Sequence, residues 1–346
     1  MTVLLDDPPF APRDDRRFLD EMIALTEHHL RGCEPYRRIW PRWRTAESVE
    51  DLPFLHVGVF KNVLFQTEGA VHQRTLRSSG TSGAGASRIV LDEASSALQS
   101  RSSLAILTDL AGPERVPLLV LDHPGSLRVR GEIGARVAAA MSLKPLATEM
   151  SFLLAEPDDP ASMKWDVVMD VLAGHEHIRV YGFTSILWLA WGAAAIPDDV
   201  RSAMRGRRID FVHSGGWKKL EEAKVTRDQL DNALLADLAE TARVVDYYGL
   251  VEQIGVIYPL CSAGVRHVPR WADVLVRDPF TLSTLEDEPG MLQLMNVLPI
   301  GAPYHSVLTE DLGRTVGGAC PCGRAGKRFE LIGRVPKAET RGCANV

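Results

Sequence analysis

The sequence predicts an α/β fold with mainly parallel sheets and a smaller β-rich lobe, and three observations carry that prediction. From about Thr75 onward, short β-rich runs alternate with helical ones, the pattern that builds a parallel sheet through crossover helices. After Tyr258 the helical runs fade, and β-rich runs are joined by Pro and Gly turns. A chain of 346 residues with 45% hydrophobic and 24% charged residues has the length and the apolar content to bury a sizeable core.

Residues 1–50 read as an N-terminal helical appendage: the stretch 17–31 sets Phe18, Met22, Ile23, Leu25 and Leu30 at roughly helical spacing among charges. Residues 51–258 read as the α/β core. Its alternation runs through 116–121, 133–142, 151–154, 165–172 and 178–181, then 184–195, 209–213, 227–242 and 244–248. The greasiest segment, 186–196, is too short to span a bilayer and reads as a buried helix. Residues 259–346 read as the β-rich lobe with a C-terminal tail, and 273–277, 291–297 and 328–332 are its expected strands.

A formal net charge of -6 supplies no global cationic field, so neither nucleic acid nor an anionic membrane surface is an expected partner. The first fifteen residues carry acids and prolines where a secretory signal needs a basic flank and an apolar run, and no stretch reaches transmembrane length. Five cysteines do not make a disulfide scaffold in a chain of this size, which points to the reducing cytoplasm.

Residues 77–88, RSSGTSGAGASR, place Ser, Thr and Gly between two β-rich runs. Glycines let a backbone wrap an anion with its amide hydrogens inward, and hydroxyls add donors for phosphate oxygens. The composition equally fits a flexible Ser/Gly loop, and no Walker spacing is present. The order of the surrounding motifs separates the two readings. SSGTSG at 78–83 resembles the phosphate loop of adenylate-forming enzymes, YYGLVE at 247–252 their tyrosine-glycine-x-threonine-glutamate motif, TED at 309–311 their threonine-glycine-aspartate, and Gly333-Arg334 their hinge arginine. SGGWKK at 214–219, YGLVEQIG and CPCGRAGKRFELIGR are most similar to the phenylacetate-CoA ligase branch and the bacterial bioluminescence acyl-protein synthetases, and the resemblance covers roughly residues 50–346.

That resemblance implies the N-terminal domain of an adenylate-forming enzyme, with ATP and Mg²⁺ as cofactors. Ser79, Gly80, Thr81, Ser82 and Gly83 would hold the β- and γ-phosphates, and Ser214, Gly215 and Gly216 would lie along adenine. Tyr248, followed by Gly249, would stack near the base, and Glu252 would coordinate Mg²⁺. Asp311 would accept from the ribose hydroxyls, while Arg334 would contact ribose or phosphate. Two departures stand out: the loop ends in GAGAS without the usual lysine, leaving Arg77 and Arg88 as the nearest cations, and Val251 replaces a hydroxyl residue before Glu252.

Relatives continue past the hinge arginine into a mobile C-terminal domain bearing a catalytic lysine, whereas this chain runs twelve residues beyond Arg334. The resemblance therefore implies that this mobile domain is absent, with Lys218, Lys219 or a partner in the lysine's place. Cys343 matches the near-terminal cysteine on which the acyl-protein synthetases hold an acyl thioester before passing it to a reductase. Expected partners are thus a carboxylic acid, aliphatic or aromatic, and an acyl acceptor or reductase protein. The expected activity is ATP-dependent formation of an acyl-AMP with transfer to a thiol, possibly that of Cys343. Transfer to CoA or a small amine, and a non-catalytic nucleotide-binding subunit, are the alternatives.

Cys261 and His267, with five residues between them, and the Cys320/Cys322 pair far downstream are four side chains of the types that satisfy tetrahedral Zn²⁺. Glycines flanking the CPC pair make it turn-like, and related ligases carry zinc with the same ligand order, so a structural Zn²⁺ is expected. Cys33 reads as a local structural residue. His213 and His305, which lie just upstream of the SGG and TED stretches, are the better histidine candidates, and Trp188 and Trp191 fit either core or an acyl pocket.

Overall fold

The computed structural model describes residues 2–78, 86–127, 132–217 and 224–335. The expected phosphate-loop residues Ser79, Gly80, Thr81, Ser82 and Gly83, together with Lys218, Lys219 and Cys343, lie outside the described residues. Helix α1 (Asp15–Gly32) starts where the Asp14 carboxylate accepts from the Arg17 amide, and α2 (Glu34–Ile39) follows directly. From α1, Phe18, Leu19 and Met22 are buried in the same core cluster as Trp271, Val274 and Leu292 of the β-rich lobe.

Strands β1 (Leu55–His56), β2 (His72–Arg77) and β3 (Arg88–Asp92) come next, β2 and β3 pairing as an antiparallel hairpin around the Ser/Gly loop. Helix α3 (Glu93–Ala111) begins at Asp92, whose carboxylate accepts from the Ser95 amide. The alternation then proceeds as β4 (Val116–Val120), β5 (Glu132–Gly134), α4 (Ala135–Ser142), β6 (Ala147–Phe152), α5 (Trp165–Gly174), β7 (His177–Phe183), α6 (Thr184–Leu187), α7 (Asp198–Met204), β8 (Arg208–Ser214), α8 (Arg227–Leu235) and β9 (Val244–Tyr248). The lobe adds β10 (Tyr258–Pro259), β11 (Arg266–His267), β12 (Ala272–Arg277), β13 (Thr284–Leu285), β14 (Gly290–Asn296), β15 (Ser306–Thr315) and β16 (Arg328–Arg334).

Among the described residues these strands form three sheets. One has the order β10-β9-β8-β7-β4-β6 and is parallel except for β10. Its central strands are buried almost end to end; β4 reads as a continuous apolar run, whereas β7 and β8 carry the buried charged residues Arg179 and Asp210 within theirs. A second sheet, β11-β16-β15-β14-β12-β13, is antiparallel, with β1 joining β15 in parallel. The third is β3-β2-β5.

Two expected helices are shorter in the structure. Over 184–195, α6 gives way after four residues to a π-turn at Trp188–Gly192. A Cβ built on Gly192 would sit 2.7 Å from the Trp188 ring, so the ring occupies the space a side chain would need. Over 227–242, α8 starts at a Thr226/Gln229 capping box and stops at Leu235, and two residues on Asp237 adopts a left-handed φ of 63°. Strand β15, ten residues long, was not among the expected strands because SVLTEDLGRT is poor in strand formers. It stands because β14 and β16 pair with it on both sides, and a Cβ at Gly313 would meet the Glu330 carbonyl at 2.6 Å. No helix among the described residues is long and apolar enough to cross a membrane.

A buried histidine pair ties α1 to β15. His29 and His305 stack with ring centroids 5.0 Å apart, His305 Nε2 lies 3.0 Å from Thr26 Oγ1, and His29 Nδ1 lies 2.8 Å from Thr67 Oγ1. Burial pushes both imidazoles down, His305 to about 3; His28 adds to the effect on both, and the His305 ring adds to that on His29. The unfolded chain therefore takes up protons that the folded one refuses, so this contribution to stability is whole above pH 6.5 and is lost as the pH falls. Each histidine costs about 1.4 kcal/mol per pH unit below its ordinary value. The urea midpoint is expected to fall between pH 6.5 and 5, and to fall less steeply in His305→Asn; a flat midpoint would contradict the assignment.

Candidate active site

Parallel strands end on the same side, and in open parallel sheets that side is where ligands settle. Strand β8 ends at Ser214 and β9 at Tyr248, with Ser214 in register opposite Tyr247. The chain leaves β8 through Gly215, at a left-handed φ of 77°, and Gly216. It leaves β9 through Gly249 into the 3-10 turn Val251–Gln253, which carries Glu252.

The antiparallel sheet delivers two more groups. Asp311 on β15 and Arg334 on β16 are register partners. The Tyr248 hydroxyl donates to Asp311 Oδ2 at 2.7 Å, and Arg334 Nε donates to Asp311 Oδ1 at 2.7 Å. Asp311 is buried, while the Arg334 side chain is 63% exposed, so the carboxylate is held from below and the guanidinium faces outward. The Tyr248 ring packs against Tyr258 and Phe329, with the Arg266 guanidinium 6.0 Å from its centroid. Burial first, and the Asp311 charge second, push the phenol well above its ordinary value and keep it a donor. The Asp311 charge raises Arg334.

Glu252 is buried, and its carboxyl is pushed up by burial against a lowering hydrogen bond with the Ser87 side chain; Asp311 and Arg334 are close enough to act on its charge. Its neighbour Gln253 is fully buried, donating through Nε2 to the Tyr304 carbonyl at 2.8 Å and accepting from Asn296 Nδ2 at 2.7 Å. These bonds fix the turn that presents Glu252. Ser78 and Ser87 clasp the neck of the Ser/Gly loop: the Ser87 amide donates to Ser78 Oγ at 2.9 Å, and the Ser78 amide to the Ser87 carbonyl at 3.1 Å. The loop neck thus sits beside Glu252. Sequence reasoning missed Ser87 and Gln253, although the first ends the loop motif and the second adjoins Glu252.

Other candidates fall elsewhere. His305 lies in the buried histidine pair, away from Asp311's partners. Trp191 is core, edge-on to Trp165 and Phe211, while Trp188 meets Trp217 just after the glycine turn. Cys33 is buried at the junction of α1 and α2.

Cys261, His267, Cys320 and Cys322 converge, with all four ligand atoms within 4.8 Å of one another. Cys261 Sγ and Cys320 Sγ are 3.7 Å apart, and Cys322 Sγ lies 3.2 Å from His267 Nε2. Tetrahedral zinc with ordinary bond lengths separates two sulfurs by about 3.8 Å and a sulfur from a nitrogen by about 3.5 Å. Burial, reinforced by Arg324 and Arg328, lowers His267 to about 4, so the ring is neutral and able to ligate. The cluster connects to the strands that carry Tyr248 and Arg334: His267 adjoins Arg266, which pairs with Asp246 of β9 at 3.1 Å, and β11 pairs with the start of β16.

Comparison with known proteins bears on the family and the fold. A family model described as acyl-protein synthetase, LuxE, matches residues 2–346. The long-chain-fatty-acid–luciferin-component ligase of Vibrio harveyi is 23% identical over 358 residues, covering 98% of this chain and 92% of that protein. The protein of the same name from Aliivibrio fischeri is 27% identical over 143 residues, or 40% of this chain and 37% of its own. An open conformation of 2-hydroxyisobutyryl-CoA ligase, in complex with 2-HIB-AMP and CoA, superposes with a TM-score of 0.69 at 16% identity. That superposition covers 94% of this chain and 76% of the ligase, and establishes the adenylate-forming α/β fold.

Proposed function

Since the chain belongs to the LuxE acyl-protein synthetase family, an ATP-dependent acid-activating ligase family, we propose that it adenylates a long-chain fatty acid and carries the acyl group as a thioester on Cys343. The acid class is taken from the name of the Vibrio harveyi relative. One observation supports the site assignment above all: Tyr248, Asp311 and Arg334 form one hydrogen-bonded chain beside the buried Glu252.

The substrate carboxylate attacks the α-phosphorus of ATP, pyrophosphate leaves, and the mixed anhydride then yields its acyl group to a thiolate, releasing AMP. Such chemistry asks for positioning and charge neutralisation more than for a protein nucleophile in the first step. Asp311 uses one lone pair on each oxygen for Tyr248 and Arg334, and a carboxylate has about four such sites, which leaves acceptors for the ribose hydroxyls. Tyr248 acts by orienting Asp311. Arg334 reaches ribose or phosphate with its exposed end, and Ser214, Gly215 and Gly216 line the adenine. Residues 79–83 cradle the β- and γ-phosphates.

Glu252 fits Mg²⁺, an oxygen-seeking ion that neutralises phosphate charge when bound. Cys261, His267, Cys320 and Cys322 fit a structural Zn²⁺, since four protein donors would complete its shell and a bound ion would hold β11 and the approach to β16 together. Reduced thiols at that cluster suit the cytosol, where a reductase partner would take the acyl group.

The reading is tested by acid-dependent exchange of pyrophosphate into ATP across aliphatic and aromatic acids. Exchange is expected with long aliphatic chains, and none with any acid would end it. For Cys343→Ser, exchange is expected to persist at the wild-type rate while the acyl mass increment on the protein disappears. An increment that survives the substitution places the thioester elsewhere.

A further inference from the structure

Thr184 opens α6, where β7 hands over to the helical turn, and its side chain is buried against the end of β8. Its Oγ1 lies 2.9 Å from His213 Nδ1, 3.2 Å from the Ser214 carbonyl oxygen and 2.8 Å from that of Gly215. A hydroxyl has one proton to give and lone pairs with which to accept. The two carbonyls can only accept, so the hydroxyl proton goes to them and His213 Nδ1 is the donor to Thr184. That count assigns the ring proton to Nδ1. His213 therefore works on Thr184, which accounts for a histidine directly before the glycine turn.

The consequence follows from peptide planarity. In a trans peptide the carbonyl and the next amide hydrogen point in opposite directions. Tying the carbonyls of Ser214 and Gly215 to one hydroxyl therefore aims the amide hydrogens of Gly215 and Gly216 away from Thr184. Two glycines in a row have little torsional preference of their own, so these peptide planes need an external hold. A Cβ built on Gly215 would lie 3.5 Å from the Phe183 ring, whereas one on Gly216 meets no atom of the described residues within 4 Å. Among the described residues the turn thus has one side against protein and one side without a neighbour.

We propose that Thr184, oriented by His213, is a positioning residue that sets the adenine-recognising geometry of the 214–216 turn. This rests on the reading that the turn lines adenine. Thr184→Val keeps the side-chain shape and removes the hydroxyl. Titration calorimetry with AMP is expected to show about tenfold weaker binding in Thr184→Val, the scale of one lost hydrogen bond. Affinity for GMP should stay within about twofold, so the preference for adenine narrows, and Thr184→Ser should restore it. A purely structural role would instead lower the melting temperature and weaken both nucleotides alike, and that result overturns the proposal. So does unchanged AMP affinity in Thr184→Val, or a Thr184→Ser protein that remains weak. Gly216→Val separates the premise from the inference: its side chain meets no atom of the described residues in the free protein and should block AMP. Normal AMP binding in that variant would remove the adenine reading itself.

Discussion

Asp311→Asn is expected to lower kcat/KM for acid-dependent pyrophosphate exchange by about 100-fold, the cost of misplacing a reacting group by about an ångström. The substitution conserves shape and removes charge. Arg334 then loses the anion that holds its guanidinium at 2.7 Å, and the Tyr248 hydroxyl, at the same distance, keeps at best a neutral acceptor. Because Tyr248 is packed on Tyr258 and Phe329, the ring cannot follow a displaced partner, so the loss falls on the nucleotide contacts rather than on the core. The melting temperature should fall by only a few degrees, since the Arg334 end of the pair is largely exposed and the buried Tyr248 hydroxyl retains an amide oxygen as acceptor. Steady-state exchange kinetics beside a thermal melt separate the two effects. A variant with near-normal exchange would mean that Asp311 is a strut of β15 and no part of the site.

How far the sequence foretold this arrangement depends on whether local chemistry or distant pairing set each piece. Strand β4 was legible because burial on both faces demands an apolar run, and β7 and β8 because β-rich residues surround their buried Arg179 and Asp210. Asp311 and Glu252 were legible through the order of their motifs. Strand β15 was not, because its hold comes from β14 and β16 rather than from its own residues. The same holds for the bonds of Ser87 and Gln253: each is made to a residue many positions away, and a lone serine or glutamine carries no pattern that names its partner. Thr184 reads as an ordinary helix opener until the strand ends of β8 are seen around its hydroxyl. Conversely, His305 drew notice from its place before the TED stretch, yet it points to Thr26 and His29 on a helix about 280 residues away in sequence.

The thiol–imidazole cluster yields the other large effect. Protein purified without chelator is expected to carry one zinc per chain by elemental analysis, and stripping it, or making Cys320→Ser with Cys322→Ser, should lower the thermal midpoint by about 10 °C. The size follows from a binding energy that, in small zinc domains, is itself the folding energy, here diluted because β14 and β15 hold the lobe without metal. The damage should be local. His267 sits on β11, which pairs with Arg328 and Phe329 at the start of β16, and β16 ends at Arg334. Loosening the first end of that strand reaches the Asp311 contact through the intervening pairs with β15. Exchange activity in the stripped protein should therefore fall through a raised KM for ATP, and should return when zinc is restored. Cobalt offers a spectroscopic check, since thiolate ligation at a tetrahedral site would colour the protein and the double serine variant would not show that colour. Metal-free protein that melts and turns over like the untreated chain would leave the four side chains as a buried reduced cluster and nothing more.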